Sequence, residues 1–528
     1  PTHPELDIQV NQKMKKSLLV GLLALGTLSS AHAGGLLNNT SLHALYLRSL
    51  ARNASLAADA AYYNPAGLAF LNDGWRLSLN SQTVLQKRNI EATFAPFAYN
   101  GGQATKTFKG TATAPVLPTI MASYKKGDWA FSAVVGLFGG GGKAVFKSGL
   151  PQFESQLATV PVITQGIAQR IAPLQKGLAA SPLLSDQQKQ AIAQALPLLT
   201  GVNRYSVDSR LEGLQYTFGL QLGASYKINQ HLSAYLGGRL SYSYNTYSGY
   251  IRDVKVNNPQ GGMSPAPLQF GAVAAGIAEL QPLLSSPTLA PLLPQIQPLL
   301  GAPAQLARAT ADRQIEVKQT GMGFAPIIGL NFNYEGLNIG ARYEFRTAIE
   351  VKNKTKINSS GLSQFEDGVK TANDLPALLG LGVSYKVLPS LTASVSYNHF
   401  FEKQARMAGD KQKTLGHNTN EYLFGLEWNA LSWLDVSGGV QLTRKGVTDA
   451  YQSNLHFDMS SNSYGLGVGL HLTKEVQLQL AYMISDYKTH TKATSAYQTI
   501  QSSGTAIPGS EVYKRKNQIF SIGLDYTL

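Results

Sequence analysis

Residues 476–482 read Val-Gln-Leu-Gln-Leu-Ala-Tyr, and residues 391–398 read Leu-Thr-Ala-Ser-Val-Ser-Tyr-Asn. In both stretches, aliphatic or aromatic side chains alternate with small or polar ones. Successive side chains of a β-strand point to opposite faces, so this period of two predicts strands with one apolar and one polar face. Residues 214–222 repeat the pattern with Leu, Tyr, Phe, Leu and Leu on one face.

Fourteen segments of this kind follow one another along the chain. We predict strands over 75–90, 115–126, 128–138, 211–228, 231–251, 319–334, 336–352, 377–387, 390–404, 420–430, 432–445, 462–473, 475–488 and 512–528. Short turns alternate strictly with long polar or Pro-rich connections, as they do in transmembrane barrels with an even number of strands. A soluble sandwich has no reason to alternate in this way. The pattern predicts an all-β protein, a 14-stranded antiparallel transmembrane β-barrel with both chain ends on the periplasmic side.

The first residues carry a processing signal. Met14, Lys15 and Lys16 precede a short apolar run over 18–28, and Ala31-His32-Ala33 follows it. A membrane-spanning helix needs about 20 apolar residues, and this run has about half that number. We therefore predict a cleaved signal peptide over 14–33 and set residues 1–13 aside as upstream residues of unclear status.

Composition limits the partners. The net charge is +14, but no dense Lys/Arg tract or base-stacking motif accompanies it, which argues against nucleic acid. Scattered positive charge suits an anionic lipid surface, so we expect outer-membrane lipid and lipopolysaccharide as neighbours. Cysteine is absent, so backbone hydrogen bonds rather than disulfides must hold a secreted chain together.

The segment over 34–74 does not alternate. Its Ala-rich part around 54–63 predicts a short helix, and Asn64-Pro65 ends it. So small an apolar segment cannot fold alone and needs a host. We expect it inside the lumen of the barrel, which spans residues 75–528.

This segment resembles the N-terminal hatch of the FadL family of outer-membrane long-chain fatty-acid transporters. The resemblance rests on Asp59-Ala60 and on Asn64-Pro65-Ala66-Gly67, and it extends at modest identity through 211–229, 323–343 and 375–376. It implies a plugged barrel for hydrophobic compounds, with Asp59, Asn64, Pro65, Ala66 and Gly67 as hatch residues. Residues 34–74 are called the hatch below.

The C-terminal tail carries a second resemblance. Ser521, Gly523, Tyr526 and Leu528 are spaced like the terminal signal that the barrel-assembly machinery reads during insertion. Closure of the barrel is obligatory in lipid, since an open edge would leave unpaired backbone groups in hydrocarbon. We therefore expect the last strand to pair with the first.

Phe138 is followed by four glycines, Gly139, Gly140, Gly141 and Gly142. Most glycine runs are flexible loops. In the FadL family, however, the third strand is kinked and opens a lateral gap in the wall, and glycines support such a kink. Both interpretations stay open at this point, and these five residues are the candidate lateral gap.

The alternation points a row of charges inward. If Leu337, Ile339 and Phe345 face lipid, then Arg342, Glu344 and Arg346 face the lumen, as does Arg239 on its own strand. These charges could hold the hatch through Asp59 or backbone carbonyls. Alternatively, one arginine receives the carboxylate of a fatty acid.

Two Leu/Pro-rich stretches over 150–205 and 264–310 lie in long insertions, near 139–210 and 253–313, which the topology places outside the cell. Their leucine content favours short amphipathic helices that form a cap, rather than floppy loops.

No enzyme motif, metal-ligand spacing or cofactor signature is present in the sequence. The sequence predicts a non-enzyme, and we expect a monomer that passively transports long-chain fatty acids or similar lipophilic molecules. The alternatives are a general porin, an outer-membrane lipid-modifying enzyme or an adhesion barrel.

Overall fold

The computed structural model describes residues 36–180, 182, 185–278 and 300–528. The predicted upstream residues and signal peptide lie outside the described residues, as do Gly34 and Gly35 at the start of the hatch.

The described chain forms one closed antiparallel barrel of fourteen strands. Three wall strands are interrupted and resume after a short break, so each is written as two ranges. The strands are β1 Gly74–Phe94, β2 Thr105–Lys126, β3 Trp129–Phe146, β4 Tyr205–Lys227, β5 Leu232–Asn257, β6 Arg313–Tyr334, β7 Leu337–Glu344 and Glu350–Asn358, β8 Lys370–Ala372 and Leu378–Leu388, β9 Leu391–Phe400, β10 Thr419–Leu431, β11 Leu434–Arg444, β12 Ser461–His471, β13 Val476–Tyr487 and His490–Ile500, and β14 Thr505–Thr527. A short strand, Met263–Pro265, pairs with the end of β5.

The barrel closes where β1 pairs with β14. Their register runs from Arg76 opposite Thr527 to Phe94 opposite Gly509. The predicted count and closure are confirmed. Each predicted short turn joins two neighbouring strands, and the turn at Glu335 and Gly336 uses positive φ angles of 42° and 84°.

The two faces of the wall differ as the alternation predicted. Outward side chains are largely apolar and exposed, and inward side chains are largely buried and polar. At the short-turn end, aromatic side chains are about half exposed: Trp75, Trp129, Tyr226, Tyr334, Tyr385, Trp428 and Trp433. An exposed apolar belt with an aromatic girdle is what a barrel presents to lipid.

Several strands continue beyond the predicted limits at the long-loop end. β3 reaches Phe146 and β5 reaches Asn257, so the two long insertions are narrower, over 147–204 and 258–312. The outward residues of the extensions are largely polar and their apolar residues face inward, so the apolar outward face by which the other strands were predicted is missing there.

The described parts of both insertions contain helices: α3 Pro151–Ala180, α4 Asp186–Thr200, α5 Ala266–Ala278 and α6 Ala302–Ala309. Phe153, Leu157, Leu199, Phe270 and Leu306 from these helices share one buried apolar cluster with the upper wall. The described parts of both insertions are therefore partly helical, and their arrangement as an extracellular cap stays a prediction. Among those residues, none of the helices is long and apolar enough to span a membrane.

Candidate functional site

The hatch lies within the ring of strands and is almost wholly buried over 36–69. It contains two short helices, α1 Ala44–Ser49 and α2 Ala60–Tyr63, and a 3-10 helix, Pro65–Phe70. Before Gly74, the described part of the hatch contains no regular β-strand. Its polar backbone groups are instead satisfied by inward-facing side chains of the wall, which explains how so short a segment is held in one conformation.

The hatch residues singled out by the resemblance make specific contacts. Asn64 Nδ2 donates to Ser55 O at 3.0 Å, and the carbonyls of Pro65 and Ala66 accept hydrogen bonds from Ser225 Oγ at 2.6 Å and Ser233 Oγ at 2.7 Å. A Cβ at Gly67 would lie 2.4 Å from Asn64 Nδ2. The 3-10 turn therefore docks on β4 and β5 and leaves room for no side chain at position 67.

Among the described residues, the Asp59 carboxylate has its hydrogen-bond partners within the hatch and none in the wall. Its carboxylate accepts hydrogen bonds from Arg52 Nε at 2.6 Å and Nη2 at 2.8 Å, and from Ser55 Oγ at 2.5 Å. Arg52 and Asp59 are both buried and belong to the hatch itself. The ion pair expected between Asp59 and the lumen arginines is therefore replaced by one that holds the hatch in its own shape.

Arg239, Arg342 and Glu344 come together in the lumen. Glu344 lies 2.7 Å from Arg239 Nη1 and 3.2 Å from Arg342 Nη2. Arg342 also donates to the carbonyl of Tyr62 in α2, and its guanidinium lies 4.2 Å from the centre of that ring. This group connects β5 and β7 to the hatch through a backbone carbonyl, which is one of the two roles expected from sequence.

Arg346 lies apart from this group. β7 is interrupted after Glu344, so the alternation that placed Arg342 inward does not extend to position 346. Its side chain is 42% exposed, lies 3.4 Å from Asp374 and donates to the carbonyl of Gln404 at 3.1 Å. Parity along a strand predicts a side chain's face only while the strand continues.

The wall between β2 and β3 contains an unpaired stretch. The two strands pair over 110–113 with 143–146 and again over 120–126 with 129–135, but residues 114–119 and 136–142 between them are not paired. β2 carries Pro115 and Pro118 here, and proline has no N–H to donate. We call this stretch the wall gap.

The glycine run forms the β3 edge of the wall gap. β3 shifts register against β4 between Leu137 and Gly139 and again between Gly140 and Gly142. Gly140 and Gly142 have φ angles of 89° and 82°, which favour glycine strongly. Two bulges in succession bend β3 along the stretch where it is not paired with β2.

The first described residues of the hatch lie against the inner side of the wall gap. Asn39 N donates to Phe138 O at 2.7 Å, its side-chain Nδ2 donates to Leu137 O at 2.8 Å, and Asn38 forms an isolated bridge with Gly139. The hatch therefore supplies hydrogen bonds to the stretch of β3 that β2 leaves unpaired.

Phe138 connects the wall gap to the arginine group. The guanidinium of Arg239 lies 3.9 Å from the centre of the Phe138 ring, and Tyr62 packs on the same ring at 5.7 Å between centroids. Tyr62, Phe138, Arg239, Glu344 and Arg342 thus form one continuous contact path, which we call the coupling path. It joins α2 of the hatch to the bend in β3.

Sequence reasoning missed the glycines of the wall that face the hatch. A Cβ at Gly340, Gly425, Gly439 or Gly465 would lie 2.1–2.3 Å from a backbone carbonyl of Leu47, Ser49 or Asn53. The hatch backbone therefore runs against bare wall backbone over several strands. The signal was available, because these glycines occupy inward positions of alternating segments.

A second buried charge cluster was also missed. Asp458 accepts from Lys445 Nζ at 2.7 Å and from Arg515 Nη1 at 2.9 Å, and Arg88, the register partner of Arg515, donates to Phe457 O at 2.9 Å. Their side chains are almost completely buried. Arg88 and Arg515 lie at inward positions of predicted strands, so parity could have found them.

His43, Ser78 and Asp525 superficially resemble a hydrolytic triad. His43 Nε2 lies 2.7 Å from Ser78 Oγ and 3.2 Å from Asp525 Oδ1, and all three side chains are buried. A triad needs the serine and the carboxylate on opposite ring nitrogens. Here both meet Nε2, whereas Nδ1 accepts from Leu45 N at 3.0 Å as the cap of α1. The group therefore ties the hatch to the β1–β14 seam.

A groove lies in the cap between α3, α6 and the turn at 498–505. Its volume is about 530 Å³, and its lining includes Leu157, Ile163, Ile167, Leu306 and Ile500 together with Arg170 and Arg313. The rest of the lining is largely Gln, Ser and Thr, so the groove has apolar and polar parts and two guanidinium groups, and it can accept an amphipathic molecule with an anionic end.

The residues of the assembly signal lie on or just after β14. Ser521, Gly523 and Tyr526 face Gln82, Asn80 and Leu77 of β1 in the register, and Leu528 N donates to Trp75 O at 2.9 Å. The tail is therefore built into the closing seam of the barrel.

The fold is similar to solved structures of outer-membrane transporters. A Pseudomonas aeruginosa FadL homologue matches with a TM-score of 0.56 at 13% identity, over 93% of this chain and 99% of that chain. The Pseudomonas putida toluene transporter TodX matches with a TM-score of 0.48 at 12% identity, over 89% and 94%. The Ralstonia pickettii toluene transporter TbuX matches with a TM-score of 0.42 at 13% identity, over 89% and 94%. No protein-family model and no curated protein match the chain. In architecture, this chain therefore has the barrel fold of the FadL homologue.

Proposed function

We propose that this chain is an outer-membrane transporter that carries long-chain fatty acids or similar hydrophobic compounds passively through a lateral exit. The observation that carries the proposal is the wall gap, where β2 and β3 lose their pairing and the start of the hatch lies behind them. A general porin would need an open polar lumen, and the burial of the hatch among the wall strands supports a closed one.

Entry begins at the cap groove. The apolar side chains of its mixed lining can contact an acyl chain or a hydrocarbon from the polar outer leaflet, and Arg170 or Arg313 can attract a carboxylate. Below the cap, Lys445 and Arg515 pair with the buried Asp458 carboxylate, and Arg88 lies opposite Arg515 in the register. A substrate carboxylate that reached this level would meet the same cationic groups.

The coupling path relates occupancy of the lumen to the wall gap. A ligand that displaces α2 moves Tyr62, and Tyr62 contacts both Phe138 and the Arg342 guanidinium. Packed aromatic and ionic contacts have discrete arrangements, so a small shift of the hatch changes the position of Phe138 at the bend of β3. The hatch is thus the ligand-responsive element in the proposal.

Energetics favour a sideways exit. Each methylene removed from water contributes about 0.8 kcal/mol. Release into aqueous periplasm would forfeit this contribution, whereas release through the wall gap into the bilayer keeps it. No energy source is required in this scheme, because the acyl chain passes from one apolar environment to another.

A disulfide across the lower border of the wall gap tests the exit. A Cβ at Gly136 would lie 3.6 Å from Thr119 Cβ, within the range that disulfides require. We expect oxidised Thr119→Cys/Gly136→Cys protein to bind fatty acid but to lose most uptake in whole cells, and a reductant should restore uptake. The natural chain has no cysteine, so no other thiol interferes.

The matched control joins the same two strands in their intact ladder. Ser123 and Ser132 are register partners below the wall gap, and a Ser123→Cys/Ser132→Cys disulfide should leave uptake unchanged. Normal uptake by the oxidised Thr119→Cys/Gly136→Cys barrel would show that substrate leaves elsewhere. Failure of the natural protein to bind any lipophile would contradict the transport proposal itself.

A further inference from the structure

The outer face of the barrel changes from apolar to cationic at one level. On β1 the outward side chains run from Trp75 up to Leu85, and the next outward residue is Lys87. Ten residue steps of about 3.3 Å, tilted by about 40°, rise about 25 Å, which is the height of the apolar band of a transmembrane barrel. Lys87 therefore lies immediately above the band, at the end with the long loops.

Lys87 faces another lysine. Its register partner on β14 is Lys516, and both point outward and are exposed. Like charges directly opposite each other destabilise a sheet. In the described part of the chain, neither lysine has an ion-pair partner within 4 Å, although Asp486 is the register neighbour of Lys516 on β13. Lys109 and Lys514 flank the pair through Asn89.

The same arrangement recurs on another part of the wall. Lys318 of β6 is the register partner of Lys354 of β7, and Lys352 lies opposite Thr320. These lysines also point outward. Thr320 is the next outward residue below Lys318 on β6, and Met322, below Thr320, is 59% exposed and belongs to the apolar belt. Two separate pairs of opposed lysines thus lie above the belt, and no carboxylate of the described residues forms an ion pair with any of the four, although Lys318 Nζ also lies 4.7 Å from the centre of the Tyr244 ring.

We propose that the Lys87–Lys516 and Lys318–Lys354 pairs each bind a phosphate group of a phosphorylated glycolipid in the outer leaflet, as in lipopolysaccharide. One phosphate group neutralises two ammonium groups and removes the repulsion across the strands. The level of the pairs selects a lipid over a soluble anion, because acyl chains attached to the phosphate-bearing sugar then lie against the apolar belt. The inference does not depend on what the barrel transports.

The test measures lipid retention by the intact purified barrel. We would titrate the natural protein, Lys87→Gln/Lys516→Gln and Lys318→Gln/Lys354→Gln with lipid A and count bound molecules by native mass spectrometry. Each double variant should weaken lipid A binding by roughly tenfold or more and should lose one of the bound molecules. Lipid A stripped of its phosphates should bind the natural protein as weakly as phosphorylated lipid A binds the variants.

The matched control is Lys126→Gln/Lys474→Gln. It removes the same charge from exposed lysines in the short turns at the opposite end of the barrel, and it should retain natural affinity. Lys87→Arg/Lys516→Arg keeps the charge and should also retain binding. Equal losses in the control and the test variants, or binding indifferent to the phosphates, would overturn the proposal. Competition by millimolar inorganic phosphate would point to a free-anion site instead.

Discussion

At the scale of single residues, glycines allow the backbone of the hatch to lie directly against the backbone of the wall. Glycines in β7, β10, β11 and β12 let hatch carbonyls approach the wall to distances that any Cβ would occupy. Packed interiors do not yield easily to an added methyl group, and overpacking typically costs about 1–3 kcal/mol. The complementarity of hatch and wall is therefore sensitive to the smallest possible substitution.

Two adjacent glycines of β11 offer a matched comparison. A Cβ at Gly439 would lie 2.3 Å from Ser49 O, whereas at Gly438 the nearest atom is Gly465 O at 3.6 Å. We expect Gly439→Ala to loosen the hatch and raise ion conductance in planar bilayers. The barrel that carries Gly438→Ala should stay closed. Equal conductance of the two variants would mean that the hatch is not held by this contact.

Glu402 contacts the start of the hatch, and we expect its pKa to make the stability of the barrel depend on pH. It lies in the β9–β10 connection, where it accepts hydrogen bonds from Leu36 N and, at 2.5 Å, from Thr419 Oγ1. Burial raises the pKa of Glu402 to about 7, with Lys445 and Asp458 as the nearby charges. Because the folded pKa exceeds that of an unfolded glutamate, the folded state binds more protons between about pH 4.5 and 7. Stability contributed by this group is therefore complete at low pH and is lost as the pH rises to 7.

We expect the natural barrel to lose heat resistance, followed as the gel mobility of the folded form, between pH 5 and pH 8. The loss at this site amounts to roughly 3 kcal/mol at most. Glu402→Gln cannot titrate and should flatten the profile. An unchanged profile in the variant would assign the pH dependence to other groups.

At the scale of elements, the hatch has too few internal contacts to be a folding unit. Its helices α1 and α2 are six and four residues long, below the length at which isolated helices persist in water. The wall supplies the order: Asn338 donates to Ala54 O at 2.9 Å, and Asn53 donates to Asn398 at 2.8 Å. The wall is therefore the template of the hatch conformation.

Deleting residues 34–70 should leave the wall intact, because the fourteen-strand ladder closes on itself without the hatch. We expect the truncated barrel to keep its folded gel mobility and to show a large, nonselective conductance in planar bilayers. A truncated barrel that folds and stays closed would contradict the view that the hatch blocks the lumen.

The strands themselves divide into parts that sequence predicts and parts that it does not. Between the aromatic girdle and Leu85, outward apolar residues alternate with inward polar ones, and all fourteen segments were predicted there. Above this level the outward residues are polar, as at Lys109 and Thr111 of β2, whereas inward residues such as Phe108 and Ala112 are apolar and buried, so the outward apolar face is lost although pairing continues. The lipid environment, rather than the hydrogen bonding between strands, therefore determines where the outward face of a strand is apolar.

At the scale of the whole molecule, the topology of the barrel could be predicted from the lengths of the turns, but the contacts between side chains inside it could not. Arg342 was placed inward correctly from parity, yet its contact with the Tyr62 carbonyl joins residues 280 positions apart. Asp59 was expected to meet such an arginine and instead pairs with Arg52, seven positions away. The alternation along a strand predicts whether a side chain points inward or outward. Which partner an inward side chain contacts depends on the path of the hatch through the lumen, and no local sequence pattern predicts that path.

The wall gap has a further consequence for the exchange of amide hydrogens with deuterium. Wall amides in a closed ladder are protected, whereas Pro115 and Pro118 carry no amide hydrogen, so the β2 edge of the gap gives no signal at either position. The amide of Asn39, which donates to Phe138 O, is protected only while the hatch is in place. Deuterium should therefore enter at Asn39 before it enters the paired wall. The exchange rate of the Asn39 amide then measures how fast the hatch leaves the wall gap, whichever molecule passes through the gap afterwards.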